Sequence, residues 1–359
     1  MSKKVHIYGA GMSGLIAAIN LAREDFDVIV YDREKSYGGS SLYNPSTHVT
    51  PLDVERTKEY IGIDISPAFH PLTACPSYFH ETKVMLPVGG VYAVERGSRK
   101  ESLDTLLMEE CKKYENISFE WESPLRKENL SKLPENTIIA CGLNPVAYEL
   151  LEIPYLRWYG WISRGEIEFG TYAWLWWDEC ISEYGYFSSV NNYYFNLLFS
   201  TREVTKSCLE KYSKFILRNE GIEHKEWHYV SGAVPLASPK NPKLFWNGAI
   251  LCGTISGAMD PMLWFGISGA LVTGKVAAMA VSDPERALTE FKRFTRRFRE
   301  NYYVKKLIWS KFIRPNVKML ETAVKIVGPK RIEKLGKKLE DGKLPMRSAI
   351  PGFSHISCS

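Results

Sequence analysis

The feature that most narrows what this chain can fold into is a set of three glycines, Gly9-x-Gly11-x-x-Gly14, lying between a short apolar run and a helical pattern. Val5 to Tyr8 reads as a buried strand. Leu15, Ala18, Ile19 and Ala22 recur at helical spacing, and Phe26 to Tyr31 reads as a second strand. Strand, glycine turn, helix and strand make one βαβ unit. In such a unit Gly9 permits the tight turn, Gly11 lets the backbone approach a pyrophosphate, and Gly14 lets helix and strand pack closely. The first helical turn has unsatisfied N–H groups and the positive end of the helix dipole, which together favour an anion. Asp32 ends the second strand, where its carboxylate can accept from adenosine ribose hydroxyls and would repel a 2′-phosphate.

The rest of the chain predicts a mixed α/β protein. Ser102 to Lys113 reads as a helix and Thr137 to Ala140 as a buried strand. From Tyr155 to Ser200 the pattern changes to strands rich in aromatic and β-branched residues. Within it, Asn191-Asn192 forms a hairpin turn between Tyr186–Val190 and Tyr193–Ser200. Val204 to Asn219 is helical and closed by Gly221, Ala249 to Cys252 is a strand, and a glycine-rich loop leads to a helix from about Gly266 to Val281. The apolar run Leu263 to Val281 contains Gly266, Gly269, Gly274 and Lys275, so it is not read as a membrane span.

Composition bears on partners and compartment. The net charge of +5 is unevenly spread, with nineteen Lys or Arg against six acids between Arg286 and Arg347. Aromatic residues interleave them, so the expected role is a solvated helical face or peripheral contact with an anionic membrane. No nucleic-acid module accompanies the charge, and nucleic acid is not an expected partner. The seven cysteines are scattered and include no C-x-x-C pair, which predicts neither a disulfide framework nor a zinc site. No metal ligands are assigned, and His48, His70 and His80 read as isolated. A strand begins almost at the N-terminus, leaving no room for a signal peptide. A cytoplasmic location, with membrane association as the alternative, is the expectation.

Several further segments resemble FAD-binding oxidoreductases. Asp32-Arg33 followed by Gly38-Gly39 is similar to their acid-then-Gly-Gly extension. Cys141-Gly142-Leu143-Asn144-Pro145 resembles the Asp-Gly segment of the hydroxylase-like flavoproteins, with Cys in place of Asp. The run from Gly253 to Leu271, with Asp260-Pro261 and Gly266-Ile267, resembles their second FAD motif. These matches occur in the expected order over about residues 5 to 280 and point to the geranylgeranyl reductase family. Tyr172-x-Trp174 matches part of that family's substrate-domain signature, P-x-x-Y-x-W-x-F-P, although both prolines and the Phe are absent. Thr254 stands where the second motif usually has Asp, and Trp264 where a small residue is usual. The cysteine common after Gly-Gly is replaced by Ser40-Ser41.

The resemblance implies a Rossmann-type FAD-binding domain (1–58, 95–150 and 240–285) interleaved with an antiparallel-sheet substrate domain (59–94 and 151–239). A basic helical C-terminal segment (286–345) and a loosely ordered tail (346–359) follow. It implies cofactor contacts from Gly9, Gly11, Met12, Ser13, Gly14, Asp32, Arg33, Gly39, Ser40, Arg96, Gly253, Thr254, Asp260, Gly266 and Ile267. Catalytic roles fall to Tyr172 and Trp174. With Trp176, Tyr186, Tyr194 and Phe195 they are expected to line a channel for an apolar substrate, and Tyr172 and His48 are the candidate proton donors. The implied reaction is reduction of carbon–carbon double bonds in an isoprenoid or other lipid-like molecule. Its electrons would come from a ferredoxin-like protein or transiently bound NAD(P)H, since no second G-x-G-x-x-G is present. A flavin-dependent monooxygenase acting on an apolar or aromatic substrate and a non-catalytic FAD-binding protein remain open. A halogenase is disfavoured, because Trp174-x-Trp176 is followed by Trp177-Asp178 rather than the Ile-Pro of that group.

Overall fold

A computed structural model describes residues 4–224, 226–236, 238, 240–307, 311 and 316–340. The expected loose tail, 346–359, lies outside the described residues. Two large sheets and one small sheet organise the chain.

The first sheet has six strands in the order β15-β16-β9-β1-β2-β8. They are β1 (Lys4–Tyr8), β2 (Asp27–Tyr31), β8 (Ile117–Glu120), β9 (Thr137–Ile139), β15 (Phe245–Trp246) and β16 (Ala249–Leu251). All are parallel except the edge strand β15. Because β1 has β2 on one side and β9 on the other, chain connections leave it in opposite directions. A crevice opens at its C-terminal end, the usual ligand position in such sheets. Helix α1 (Met12–Ala22) runs from this crevice, and every one of its residues is buried. It packs against α3 (Leu103–Cys111) and, most extensively, α7 (Ile267–Ser282). Gly274 permits that crossing, since a Cβ there would stand 2.6 Å from the Ser13 carbonyl oxygen.

The second sheet has seven strands in the order β14-β10-β13-β12-β11-β5-β6. These are β5 (Pro76–Phe79), β6 (Thr82–Met85), β10 (Tyr155–Glu166), β11 (Tyr172–Trp177), β12 (Tyr184–Val190), β13 (Tyr193–Ser200) and β14 (His228–Pro235). Asn191 and Asn192 both take left-handed backbone angles and turn β12 into β13 with Val190 opposite Tyr193, as their sequence predicts. Strands β3 (Ser46–Pro51), β4 (His70–Pro71) and β7 (Val91–Arg96) form the small antiparallel sheet. The remaining helices are α2 (Val54–Ile61), α4 (Lys127–Leu130), α5 (Pro145–Leu150), α6 (Lys206–Glu220), α8 (Pro284–Val304), α9 (Val317–Val327) and α10 (Pro329–Glu340). Among the described residues no helix is long and apolar enough to cross a membrane.

Cysteine usage departs from expectation. Cys180, after β11, and Cys208, in the first turns of α6, form a disulfide across 28 residues. Scattered spacing conceals this pair, because it is the packing of α6 on the sheet that brings Cys208 to the turn after β11. A closed loop of that size contributes roughly 3–4 kcal/mol by restricting the unfolded chain. Peptide mapping without reductant is expected to recover a linked Cys180–Cys208 peptide. Cys208→Ser should remove it and lower the melting temperature by several degrees; recovery of free thiols only would refute the pairing.

Candidate functional site

The crevice at the end of β1 is built from backbone as much as from side chains. Gly9 has φ of +118°, and a Cβ there would lie 2.4 Å from the Ala140 carbonyl oxygen. A Cβ on Gly14 would lie 1.9 Å from the Gly9 carbonyl oxygen. A Cβ on Gly11 would meet nothing within 4 Å, so the open side of the turn is at Gly11. Gly11 caps α1 without a side-chain hydrogen bond, which leaves the first-turn N–H groups at Met12 and Ser13 directed toward that opening. Asp32 accepts from the Ala10 N–H at 2.6 Å through Oδ2 and from the Glu34 N–H at 2.9 Å through Oδ1. It therefore pins the glycine turn while both oxygens retain a lone pair. Arg33 is exposed and pairs with Glu34 at 3.1 Å.

A second wall comes from the Gly38-Gly39 loop. Gly38 packs backbone to backbone on Gly97, and Asn44 donates to the Gly38 carbonyl at 2.7 Å. Ser40 accepts through its carbonyl from Tyr43 and Asn44. Arg96, next to Gly97, is held by two hydrogen bonds from its guanidinium to fully buried Asp104, at 2.6 and 2.9 Å. That pair orients Arg96 beside the Gly-Gly loop.

The third wall is the run from Gly253 to Ile267. Gly253, with φ of +69°, sits so close to α1 that a Cβ would be 2.5 Å from Ser13 Oγ. Its N–H donates to Thr273 Oγ1 on α7 at 2.7 Å. Half-buried Thr254 has its methyl 3.2 Å from where a Cβ on Gly266 would be, at the start of α7. The two glycine motifs, 240 positions apart, thus meet at the ends of α1 and α7. Asp260 does not present an open carboxylate to this crevice. It is fully buried, accepts from the Met262 N–H at 2.8 Å and the Asn301 amide at 2.6 Å, and burial pushes its pKa up to about 6. It shapes the loop and ties it to α8.

Trp264 has φ of +58°, a left-handed angle usual for glycine and costly for a bulky residue. Two contacts and the ion pair that joins their partners hold it. Its indole N–H donates to Glu183 at 3.0 Å, the Lys305 ammonium lies 4.1 Å from its ring centroid, and Lys305 pairs with Glu183 at 3.1 Å. Tyr184 also donates to the Leu263 carbonyl at 2.6 Å. Neither Glu183 nor Lys305 was assigned a role from sequence. Only the oddity of Trp where a small residue is usual signalled this knot.

One face of the seven-stranded sheet closes the site. Trp158, Ile162, Trp177, Tyr184, Tyr186, Phe195 and Phe199 form one apolar cluster with Trp264, joined by Tyr43, Val49, Met259 and Leu263. This face contains Tyr186 and Phe195 as expected, but not Tyr172, Trp174, Trp176 or Tyr194. The alternation along β11 does put Tyr172, Trp174 and Trp176 on one face, and that face packs under α6. Trp174 is fully buried and stacked on Phe187 at 3.9 Å, while Tyr172 donates to Glu220 of α6 at 3.0 Å. The catalytic assignment of Tyr172 and Trp174 is therefore corrected: both belong to the core beneath α6. The buried stripe Cys208, Tyr212, Phe215 and Ile216 on α6 was the available signal, because it requires an apolar face to cover.

His48 lies on the correct side, 5.9 Å from the Phe195 ring, with Nε2 2.9 Å from Ser46 Oγ. Desolvation, aided by the Arg96 charge, lowers its pKa to about 3. It is neutral near pH 7 and can exchange a hydrogen bond there without carrying charge. His80 is not isolated: it contacts Glu179 at 2.5 Å and Glu321 at 3.1 Å. With Asp178 and Glu179 it forms a compact His-carboxylate group, in which Lys211 pairs with Asp178.

Comparison with known proteins agrees with this geometry. Residues 7–55 match the NAD(P)-binding Rossmann-like domain family. Two flavin-containing monooxygenases of Arabidopsis thaliana, FMO GS-OX2 and FMO GS-OX3, are each 40% identical, over 60 and 64 residues. Those stretches are 17% and 18% of this chain and 13% and 14% of the relatives, so the likeness spans about an eighth of their length. Whole-chain likeness comes from solved structures. A geranylgeranyl bacteriochlorophyll reductase-like protein from Thermoplasma acidophilum superposes with a TM-score of 0.61 at 15% identity, covering 95% of this chain and 100% of that one. The p-nitrophenol 4-monooxygenase of Pseudomonas putida DLL-E4 gives 0.62 at 11%, covering 94% and 98%. The flavin-dependent halogenase CmlS gives 0.62 at 15%, covering 94% and 72%. The fold is that of the flavoprotein oxidoreductases.

Two expected outcomes follow from the site. Gly11→Ala, which enters open space, should leave the melting temperature within about a degree and weaken dinucleotide binding. Gly269→Ala, whose Cβ would be 1.7 Å from the Ala258 carbonyl oxygen, should lower the melting temperature markedly. Calorimetry with a binding titration separates these effects. For His48 the folded-state pKa lies below the ordinary 6.5, so its contribution to stability is complete above pH 6.5 and is lost as pH falls toward 3. His48→Gln should reduce the loss between pH 6.5 and pH 5 by roughly 1–2 kcal/mol in urea unfolding. An unchanged pH slope would contradict the buried neutral assignment.

Proposed function

We propose that this chain is an FAD-dependent oxidoreductase that reduces carbon–carbon double bonds of an isoprenoid or other lipid-like substrate. The observation that carries the cofactor assignment is the docking of Gly253 on the first turn of α1, which brings the two glycine motifs to one crevice. The residues fit FAD. Gly11 leaves room for a pyrophosphate at the start of α1, and Asp32 keeps lone pairs for ribose hydroxyls. Thr254, whose methyl packs toward Gly266, stands in place of the usual carboxylate.

Bound FAD supplies the electron-transfer chemistry, and the chain supplies position, polarity and shielding. The N-terminus of α7 at Gly266-Ile267 favours negative charge in front of it. The aromatic face from Trp158 to Phe199 keeps water from the space beyond the crevice and suits an apolar substrate. His48 and the hydroxyl of Tyr186 are polar groups on that side. Tyr186 donates to the Thr47 carbonyl at 2.7 Å, and His48, neutral near pH 7, offers a hydrogen bond rather than a proton. Electrons would come from a ferredoxin-like protein or transiently bound NAD(P)H. The geranylgeranyl bacteriochlorophyll reductase-like structure and the p-nitrophenol 4-monooxygenase both match end to end, so the reductase reading rests on the sequence resemblance. A monooxygenase is the second reading, favoured by the Arabidopsis relatives over their 60-residue match.

Purified protein is expected to release FAD on denaturation. Asp32→Ala, which removes charged hydrogen bonds, should weaken FAD retention about 10- to 100-fold; unchanged retention would remove Asp32 from the site. Anaerobically reduced protein should be reoxidised by a polyprenyl lipid, which becomes saturated. Fast substrate-dependent oxygen consumption without saturation would favour the monooxygenase instead.

A further inference from the structure

Helices α9 and α10 cover the β5–β6 edge of the seven-stranded sheet. On α9 the inner face is Val317, Glu321 and Val324, spaced i, i+4 and i+7 and all buried. Two acids of this helix pair, Glu321 and Glu333, are turned inward. Glu321 accepts from Thr82 at 2.8 Å and meets His80 at 3.1 Å, and Glu333 accepts from the Met85 N–H at 3.2 Å. On its exposed side α9 carries an apolar stripe, with Met319 60%, Ile326 79% and Val327 48% exposed and Ala323 between them, beside exposed Lys318, Thr322 and Lys325. The outer face of α10 is cationic, with Lys330, Arg331, Lys334, Lys337 and Lys338 all exposed and Leu335 53% exposed among them.

An ordinary surface helix presents the opposite arrangement, apolar inward and polar outward. Here α9 exposes an apolar stripe as well as burying one, is only eleven residues long and is bordered by cations. The geometry points to a peripheral docking surface for an anionic phospholipid bilayer. Met319, Ile326 and Val327 enter the headgroup boundary, and the α10 cations meet lipid phosphates and carboxylates. Charge complementarity selects this occupant. A second copy would bring five cations against five cations unless the faces were offset, and an apolar protein groove would not use the row on α10. The surface is independent of the redox proposal, because docking requires neither flavin nor turnover.

The test is co-sedimentation of the full chain with vesicles of phosphatidylcholine alone and of phosphatidylcholine with phosphatidylserine. Binding is expected only to the vesicles containing phosphatidylserine and should fall as salt is raised. Replacing Lys334, Lys337 and Lys338 together by Gln should weaken it on the order of a hundredfold, at about fivefold per cation. Ile326→Asp should weaken it at least tenfold. Both variants change exposed positions, so their melting temperatures should match the parent, which separates lost docking from lost folding. The proposal is overturned if the parent chain does not bind the anionic vesicles, or if Ile326→Asp binds them as well as the parent does. It is also overturned if sedimentation velocity shows a dimer of the parent that Ile326→Asp dissolves, since the face would then belong to a second copy.

Discussion

The structure depends on how closely α1 approaches its neighbours. An eleven-residue helix that is buried on every side can exist only where the surrounding backbone comes within contact distance. Gly14 admits the Gly9 carbonyl, Gly274 admits the Ser13 carbonyl, and Gly253 admits the Ser13 hydroxyl. A methyl group at any of these positions would push one wall away. The same contacts place the start of α1 and the start of α7 around one crevice, so packing and binding geometry have a common origin. Asn20 completes the arrangement from within α1: it bridges the Ile16 and Ile61 carbonyls and accepts from Lys275, a lysine that would otherwise be an uncompensated charge in the α7 interface.

What was legible in the sequence was mostly local. The βαβ unit could be read because a tight turn, a close approach and a helix start each demand a particular residue at a particular spacing. The Asn191-Asn192 hairpin could be read because few residues accept two successive left-handed positions. The Gly221 helix stop followed from the same rule, with φ of +69°. Pairings decided by distant chain were not legible. Alternation along β11 shows that Tyr172 and Trp174 share a face, but not that α6, thirty residues later, would claim that face. Cys180 and Cys208 looked unrelated, and Asp260 looked like a cofactor ligand until Asn301 and burial accounted for it.

The site combines local rule-keeping with one local violation. Glycine occupies nearly every position whose backbone angle or close contact requires it, whereas Trp264 occupies a left-handed position without being glycine. Natural chains tolerate such strain where surrounding contacts over-determine it, often beside a functional site. Here the contacts are a carboxylate, an ammonium and an aromatic wall, all converging on one indole. The wall itself comes from the opposite face of the sheet whose other side is core, so each strand divides its residues between stability and the site.

Asn301 and Lys305 give α8 a role beyond covering the core. At 21 residues this helix is about 30 Å long. It begins right after α7 ends, runs across the molecule, and near its far end holds Asp260 and the Trp264–Glu183 pair. The crevice loop is therefore fastened at two points: to α7, which it leads into, and to the last turn of α8. In mechanical terms α8 acts as a brace rather than an appendage, and the shape of the crevice is set partly by residues that never enter it.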